Sequence, residues 1–171
     1  MHARHGFVTF LGTPMTLVGQ PPQIGSKAPE FTALRGDMTP YSLSQAAGKV
    51  VVINSVPSLD TSVCAMQTRR FNQEAAALGD GVKVLVISMD LPFAQKRFCA
   101  TEGIANLETL SDHRDAGFGT GYGLLIKELR LLARSVLAVD GNGVLRYVQL
   151  VPEVSHEPNY DDALAAIKAL R

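Results

Sequence analysis

The chain has 171 residues, 46% hydrophobic and 19% charged, which is enough apolar material for a packed core and too little charge for a disordered chain. Its 16 basic side chains are matched by 16 acidic ones, which argues against a nucleic-acid coat or a polybasic membrane binder. Apolar runs such as Val50–Ile53 and Val84–Ile87 are short against the roughly 20 residues of a membrane helix, so neither nucleic acid nor membrane is an expected partner.

The length fits one domain over residues 1–171. The N-terminal segment predicts a β-hairpin with strands near 6–11 and 14–18 about a turn at Gly12-Thr13-Pro14. Thr9, that turn and Thr16 interrupt the apolar run a secretory leader needs, so a cytoplasmic protein is expected.

Val50 to Ser55 reads as a buried strand, followed by the turn-rich stretch Pro57–Val63. A helix is predicted from about Val63 to Leu78. Cys64, Thr68, Phe71, Ala75 and Leu78 fall on one face, Thr61 or Ser62 can cap its start, and Gly79-Asp80-Gly81 ends it. Val82–Ser88 is the next strand. A short helix opens at Asp90-Leu91-Pro92, reaches Cys99 and breaks at Gly103. A short strand at Leu107–Leu110 precedes a helix that starts near Asp112 and fades into the glycines at 117, 119, 121 and 123. Strands at 134–139 and 144–150 flank the hairpin signal Asp140-Gly141-Asn142-Gly143. The last helix follows Pro158, with Asn159 as cap, Asp161 and Asp162 in its first turn, and Tyr160, Ala163, Leu164, Ile167 and Leu170 as its buried stripe. This alternation implies an α/β fold: a central mixed sheet with parallel pairing, flanked by helices.

The two cysteines, Cys64 and Cys99, form no Cys-x-x-Cys pair. By number alone they fit two unrelated buried thiols, a structural disulfide or a redox pair. Position favours reactivity at Cys64. It follows a strand and a turn and falls in the first turn of a helix, where unpaired N–H groups and the dipole favour a thiolate, the nucleophilic form. The Thr61 hydroxyl lies three residues earlier, and Pro57 can fix the turn and shield the sulfur from water.

Pro57-x-x-x-Thr61-x-x-Cys64 resembles the active-site motif of the peroxiredoxins. The wider run Pro57–Cys64, Arg69-Arg70-Phe71-Asn72 after it, and Asp90–Cys99 resemble the thiol peroxidase branch, and the likeness spans nearly the whole chain. The resemblance implies a thioredoxin-like fold with an added N-terminal hairpin at residues 6–18. It implies reduction of hydrogen peroxide and organic hydroperoxides without metal, haem, flavin or other cofactor. Cys64 would be the peroxidatic cysteine and become a sulfenic acid. Cys99 of the same chain would be the resolving cysteine and close an intramolecular Cys64–Cys99 disulfide. Thioredoxin would be the reductant, and the protein a homodimer.

The family's late-strand arginine maps to Arg134, where a guanidinium can orient the peroxide and stabilise charge on the leaving oxygen. A buried arginine needs a partner, and the thiolate can serve as one. Arg114 is a weaker second candidate, and Asp60 could hold the loop before Cys64 through backbone N–H groups. Cys99 near a helix C-terminus suits a thiol that attacks second. Disulfide geometry brings Cα atoms within about 7 Å; if the two helices hold the thiols further apart when reduced, the cycle is expected to include local unfolding at 61–65 and 92–101.

Other signals fall away. Tyr122 stands where a dinucleotide fingerprint needs its third glycine, Gly48-Lys49 lacks the rest of a P-loop, and His2, His5, His113 and His156 show no metal-ligand spacing. A peroxide-sensing switch and a disulfide-stabilised structural protein remain the alternatives to an enzyme.

Overall fold

In the computed structural model, which describes residues 2–171, strand β1 (Ala3–Phe10) folds back on β2 (Thr13–Val18) through Leu11 and Gly12. Both turn residues have positive φ, +50° and +79°, as in the primed turns whose twist matches paired strands. The turn therefore precedes the expected Gly12-Thr13-Pro14, and Thr13 and Pro14 lie within β2 opposite Phe10 and Thr9. Proline is tolerated there because Thr9 sends its N–H to Pro152 O and takes Val154 N at its own carbonyl.

The main sheet grows from a β-branched centre. β5 (Val50–Ser55) is buried along its whole length and pairs in parallel with β6 (Val82–Ser88), which pairs in parallel with β7 (Glu108–Ser111). On the other side of β5, β10 (Ser135–Val139) runs antiparallel, with Ser135 opposite Ser55, and β11 (Leu145–Leu150) forms the edge. β3 (Thr32–Leu34) and β4 (Pro40–Ser42) extend the far edge, giving the order β11-β10-β5-β6-β7-β3-β4. A second, four-stranded sheet joins the hairpin to β8 (Leu125–Ile126) and β9 (Leu131–Leu132). The mixed central sheet is as expected. The strands of two or three residues were not, because pairing partners rather than local sequence define them.

Helix α1 (Ser62–Leu78) follows β5, α2 (Pro92–Glu102) links β6 to β7, and α4 (Tyr160–Lys168) closes the chain. Phe71 and Leu78 of α1 and Ala163, Leu164 and Ile167 of α4 pack on Val52, Val84, Val136 and Ala138. Phe98 of α2 joins the small cluster of Val56, Leu59, Cys64 and Val86. Alternate strand residues point the other way. Ile53, Leu85, Ile87 and Leu137 pack with the hairpin's Leu17 and with Phe118 of α3 (Gly117–Gly121). That short helix consists of the glycine-rich residues themselves and does not begin near Asp112. The Asp112 carboxylate lies outside it and accepts Phe118 N at 3.1 Å and Gly119 N at 2.8 Å.

Candidate active site

The end of β5 and the start of β10 meet at one sulfur. Cys64 is the third residue of α1 and has no exposed surface. Thr61 occupies the position before the helix in extended backbone, but its hydroxyl makes no cap bond to the helix N–H groups. It stands 2.7 Å from Cys64 Sγ and 3.0 Å from Ser58 O. One hydroxyl proton serves two acceptors. When the sulfur is a thiol it can donate to Thr61 Oγ1, which then donates to Ser58 O; when the sulfur is a thiolate, Thr61 donates to it.

Arg134 sits just before β10, 1% exposed. The Ser55 hydroxyl fixes its neighbours, lying 2.6 Å from both Ala133 O and Ser135 Oγ. Each nitrogen of its guanidinium has a partner: Nη2 lies 3.3 Å from Cys64 Sγ, Nη1 donates to Gln67 Oε1 at 2.8 Å, and Nε donates to Val154 O at 2.9 Å. No carboxylate comes within ion-pair distance of it among the described residues. Gln67 is itself held by Asn54, whose Oδ1 accepts Nε2 at 3.0 Å. Stranding a buried charge costs about 3–5 kcal/mol, so an arginine with only neutral protein partners favours an anion at the one remaining contact, the sulfur.

Pro57 is buried in the loop that leads to this point. Asp60 is exposed and does not hold the loop; Asp90 does. Its carboxylate accepts Ser58 Oγ at 2.7 Å, Leu59 N at 2.8 Å and Ser88 Oγ at 2.7 Å. A carboxylate two residues before Pro92 thus ties the Cys64 loop to the root of α2. Arg114 pairs with Asp115 on the surface and takes no part in the site.

Cys99 lies in the last turn of α2, half-buried, its Sγ 3.4 Å from Thr109 Oγ1. Burial pushes its thiol up, partly offset by that hydroxyl, so it is held neutral. Both cysteines are free. The helix carrying Cys99 is weakly anchored: its fully buried side chains are Pro92 and Gln95, while Phe93 is 67% exposed. Gln95 Nε2 donates to Ser88 Oγ and to Leu110 O, and its Oε1 is buried without a partner. Few apolar contacts and an unsatisfied acceptor mark a segment of low local stability. Between the two helices lies an open cleft of about 390 Å³, lined by Thr61, Ser62, Arg97, Phe98 and Glu102.

Thr61, Cys64 and Arg134 are therefore brought together, Pro57 lies in the same loop, and Cys99 stands on a neighbouring helix with its sulfur turned to β7. Gln67, Asn54 and Asp90 were missed. Gln67 carried a signal, since it stands three residues after Cys64 and shares its helix face.

A family profile described as Redoxin matches residues 23–164. The chain belongs to the redoxin family. Relatives of this redoxin include a thiol peroxidase of Halalkalibacterium halodurans, 54% identical over 95% of this chain and 97% of the relative. One of Bacillus subtilis is 54% identical with the same coverage of both. A peroxiredoxin-like protein of Aquifex aeolicus superposes with a TM-score of 0.91 at 43% identity, over 98% of this redoxin and 99% of that chain. The thioredoxin-like fold of the redoxin is also that of a thiol peroxidase from Chromobacterium violaceum, TM-score 0.84 at 19% identity, over 95% of each chain. No helix among the described residues is long and apolar enough to cross a membrane.

Proposed function

We propose that this redoxin is a thiol peroxidase that uses Cys64 as its nucleophile and Cys99 as its resolving thiol. The observation that carries the reading is the buried Cys64 sulfur between the Thr61 hydroxyl and a guanidinium that has no carboxylate partner. The Cys64 thiolate attacks one oxygen of the hydroperoxide. The S–O bond forms as the O–O bond breaks, the second oxygen takes a proton and leaves as water or an alcohol, and Cys64 is left a sulfenic acid. Arg134 stabilises the negative charge that grows on the leaving oxygen, and Thr61 orients the attacked one. The Cys99 thiol then attacks the Cys64 sulfur. A disulfide forms and water departs with the Cys99 proton.

In the reduced fold Cys99 is bonded to Thr109 and Cys64 to Thr61 and Arg134, so this second step needs the Cys64 loop and the weakly anchored α2 to open. A dithiol of the thioredoxin type returns the two electrons and two protons. A homodimer working in the cytoplasm completes the reading.

The test is peroxide-dependent NADPH oxidation with thioredoxin and its reductase, comparing wild type with Cys64→Ser and Cys99→Ser. Turnover by wild type and none by Cys64→Ser is the expected result. Full activity in Cys64→Ser overturns the assignment. A single oxidation of wild type without turnover would make the pair a switch.

A further inference from the structure

The N-terminal hairpin lies outside the main sheet, yet it is tied to the segment that holds Arg134. One oxygen of the Glu153 carboxylate accepts Thr9 Oγ1 at 2.6 Å and Gly12 N at 3.0 Å. The other accepts Leu11 N at 2.9 Å, Ser155 N at 3.1 Å and Ser155 Oγ at 2.6 Å. The positive-φ turn aims both of its N–H groups at this one anion. Beside it, Thr9 N donates to Pro152 O and Val154 N donates to Thr9 O, each at 2.8 Å.

The same short segment grips Arg134 from its other side. Val154, fully buried, gives its carbonyl to Arg134 Nε at 2.9 Å, and Val151 N donates to Arg134 O at 3.0 Å. A continuous set of bonds thus runs from the hairpin turn through Glu153 and Val154 to the guanidinium and on to Cys64 Sγ. The bonds that Glu153 accepts from Ser155, Thr9 and Gly12 hold its carboxyl well below the usual carboxylate range, so it is an anion throughout the working pH range.

We infer that Glu153 is a positioning residue for Arg134, which makes the added hairpin part of the peroxide-reacting machinery. This rests on the peroxidase reading above. The guanidinium is planar, and its three nitrogens have three different partners. Val154 O fixes Nε and Gln67 Oε1 fixes Nη1, and together they hold the plane so that Nη2 meets the sulfur. If Glu153 releases the hairpin turn, residues 152–154 keep only the two Thr9 backbone bonds to the strand that backs them, and the Val154 end of the plane loosens against Cys64.

The experiment uses the full chain in a Cys99→Ser background, so that both readouts report Cys64. Glu153→Ala and Glu153→Gln are compared with the parent in the rate of peroxide-driven sulfenic acid formation and in the pH dependence of alkylation by iodoacetamide. Tyr160 of α4, bonded to Glu157, is within electrostatic reach of Arg134, and burial keeps its phenol neutral. The expected loss for Glu153→Ala is about ten- to a hundredfold in the peroxide rate, as for a catalytic group displaced by an ångström, with the alkylation profile moved to higher pH. Glu153→Gln, which keeps one acceptor oxygen, should fall between.

Leu43→Ala, at the opposite end of the sheet, serves as the control for lost stability alone and should leave the profile in place. Glu153 variants that keep both rate and profile within about twofold of the parent overturn the inference. If Glu153→Ala does not fold, Glu153→Gln decides by the same criterion. A parent that forms no sulfenic acid overturns the peroxidase reading and this inference with it.

Discussion

Gln67 Oε1 accepts a hydrogen bond from Arg134 Nη1 at 2.8 Å, so a buried guanidinium is held by a neutral amide rather than a carboxylate. The amide satisfies the donor without spending the charge, which stays available to the sulfur 3.3 Å from Nη2. Gln67→Glu would set a carboxylate against Arg134 in competition with the thiolate. The rate of peroxide reduction at neutral pH should fall about tenfold or more, and recover as the pH rises. Stopped-flow rates across pH check this, and an unchanged profile would show that the neutral partner is immaterial.

Thr61 separates shape from hydrogen bonding. Thr61→Val preserves the branched outline but removes the O–H that lies 2.7 Å from Cys64 Sγ. The second-order rate with hydrogen peroxide should drop about 10²–10³-fold, the usual cost of one donor aimed at developing charge. Thr61→Ser, which restores the donor, should recover most of it.

Cys99 gives a pH dependence. Burial raises its thiol above the ordinary range, and for a group whose folded value is raised, the linked stability is present below the unfolded value and lost as pH climbs toward the folded one. The reduced protein should therefore weaken in alkaline solution, and Cys99→Ser should lessen that trend. In Cys64→Ser, alkylation of Cys99 should require higher pH when the chain is folded than when it is unfolded in urea.

The hold on α2 sets how readily Cys99 reaches Cys64. Gln95→Leu removes the two bonds that tie the middle of α2 to Ser88 Oγ and Leu110 O and leaves those buried acceptors unsatisfied, which should loosen the helix. Disulfide formation after one equivalent of peroxide should quicken, with hydrogen exchange at 92–102 faster in parallel. Asp90→Asn, which loosens the link from Ser58 and Leu59 to the root of α2, should act in the same direction. Equal exchange rates in all three proteins would remove α2 opening from the account.

Much of this was legible in the chain. β5 and β6 have the bounds their β-branched runs predict, and α1 and α4 follow their apolar faces and caps within a residue or two. Cys64, Thr61 and Pro57 were readable because strand, turn and helix start are local features. Arg134 was readable through the family resemblance, since an arginine at a strand end ordinarily reaches solvent. Gln67 and Asn54 were not singled out, because amides ordinarily face water and only tertiary packing buries them. Asp90 and Glu153 were not singled out, because beside their local serine bonds the ones that matter come from N–H groups in distant parts of the chain. The turn at Leu11 was misplaced because a leucine at positive φ is a tertiary outcome, while Thr13-Pro14 looks like a turn on paper.

β10 runs against β5, with Ser135 opposite Ser55, so a hydrogen-bonded ladder sets the arginine against the end of β5 from which the Pro57 loop leads to the cysteine. A ladder measures in whole residues. One step moves a side chain about 3.4 Å and turns it to the opposite face, so slippage would offer the sulfur Ala133 or Ser135, never an arginine slightly out of place. The sheet is in this sense a digital ruler. It leaves the softer adjustments to the hairpin on one side and to α2 on the other, and an inserted or deleted residue in either strand would erase the site in a single event.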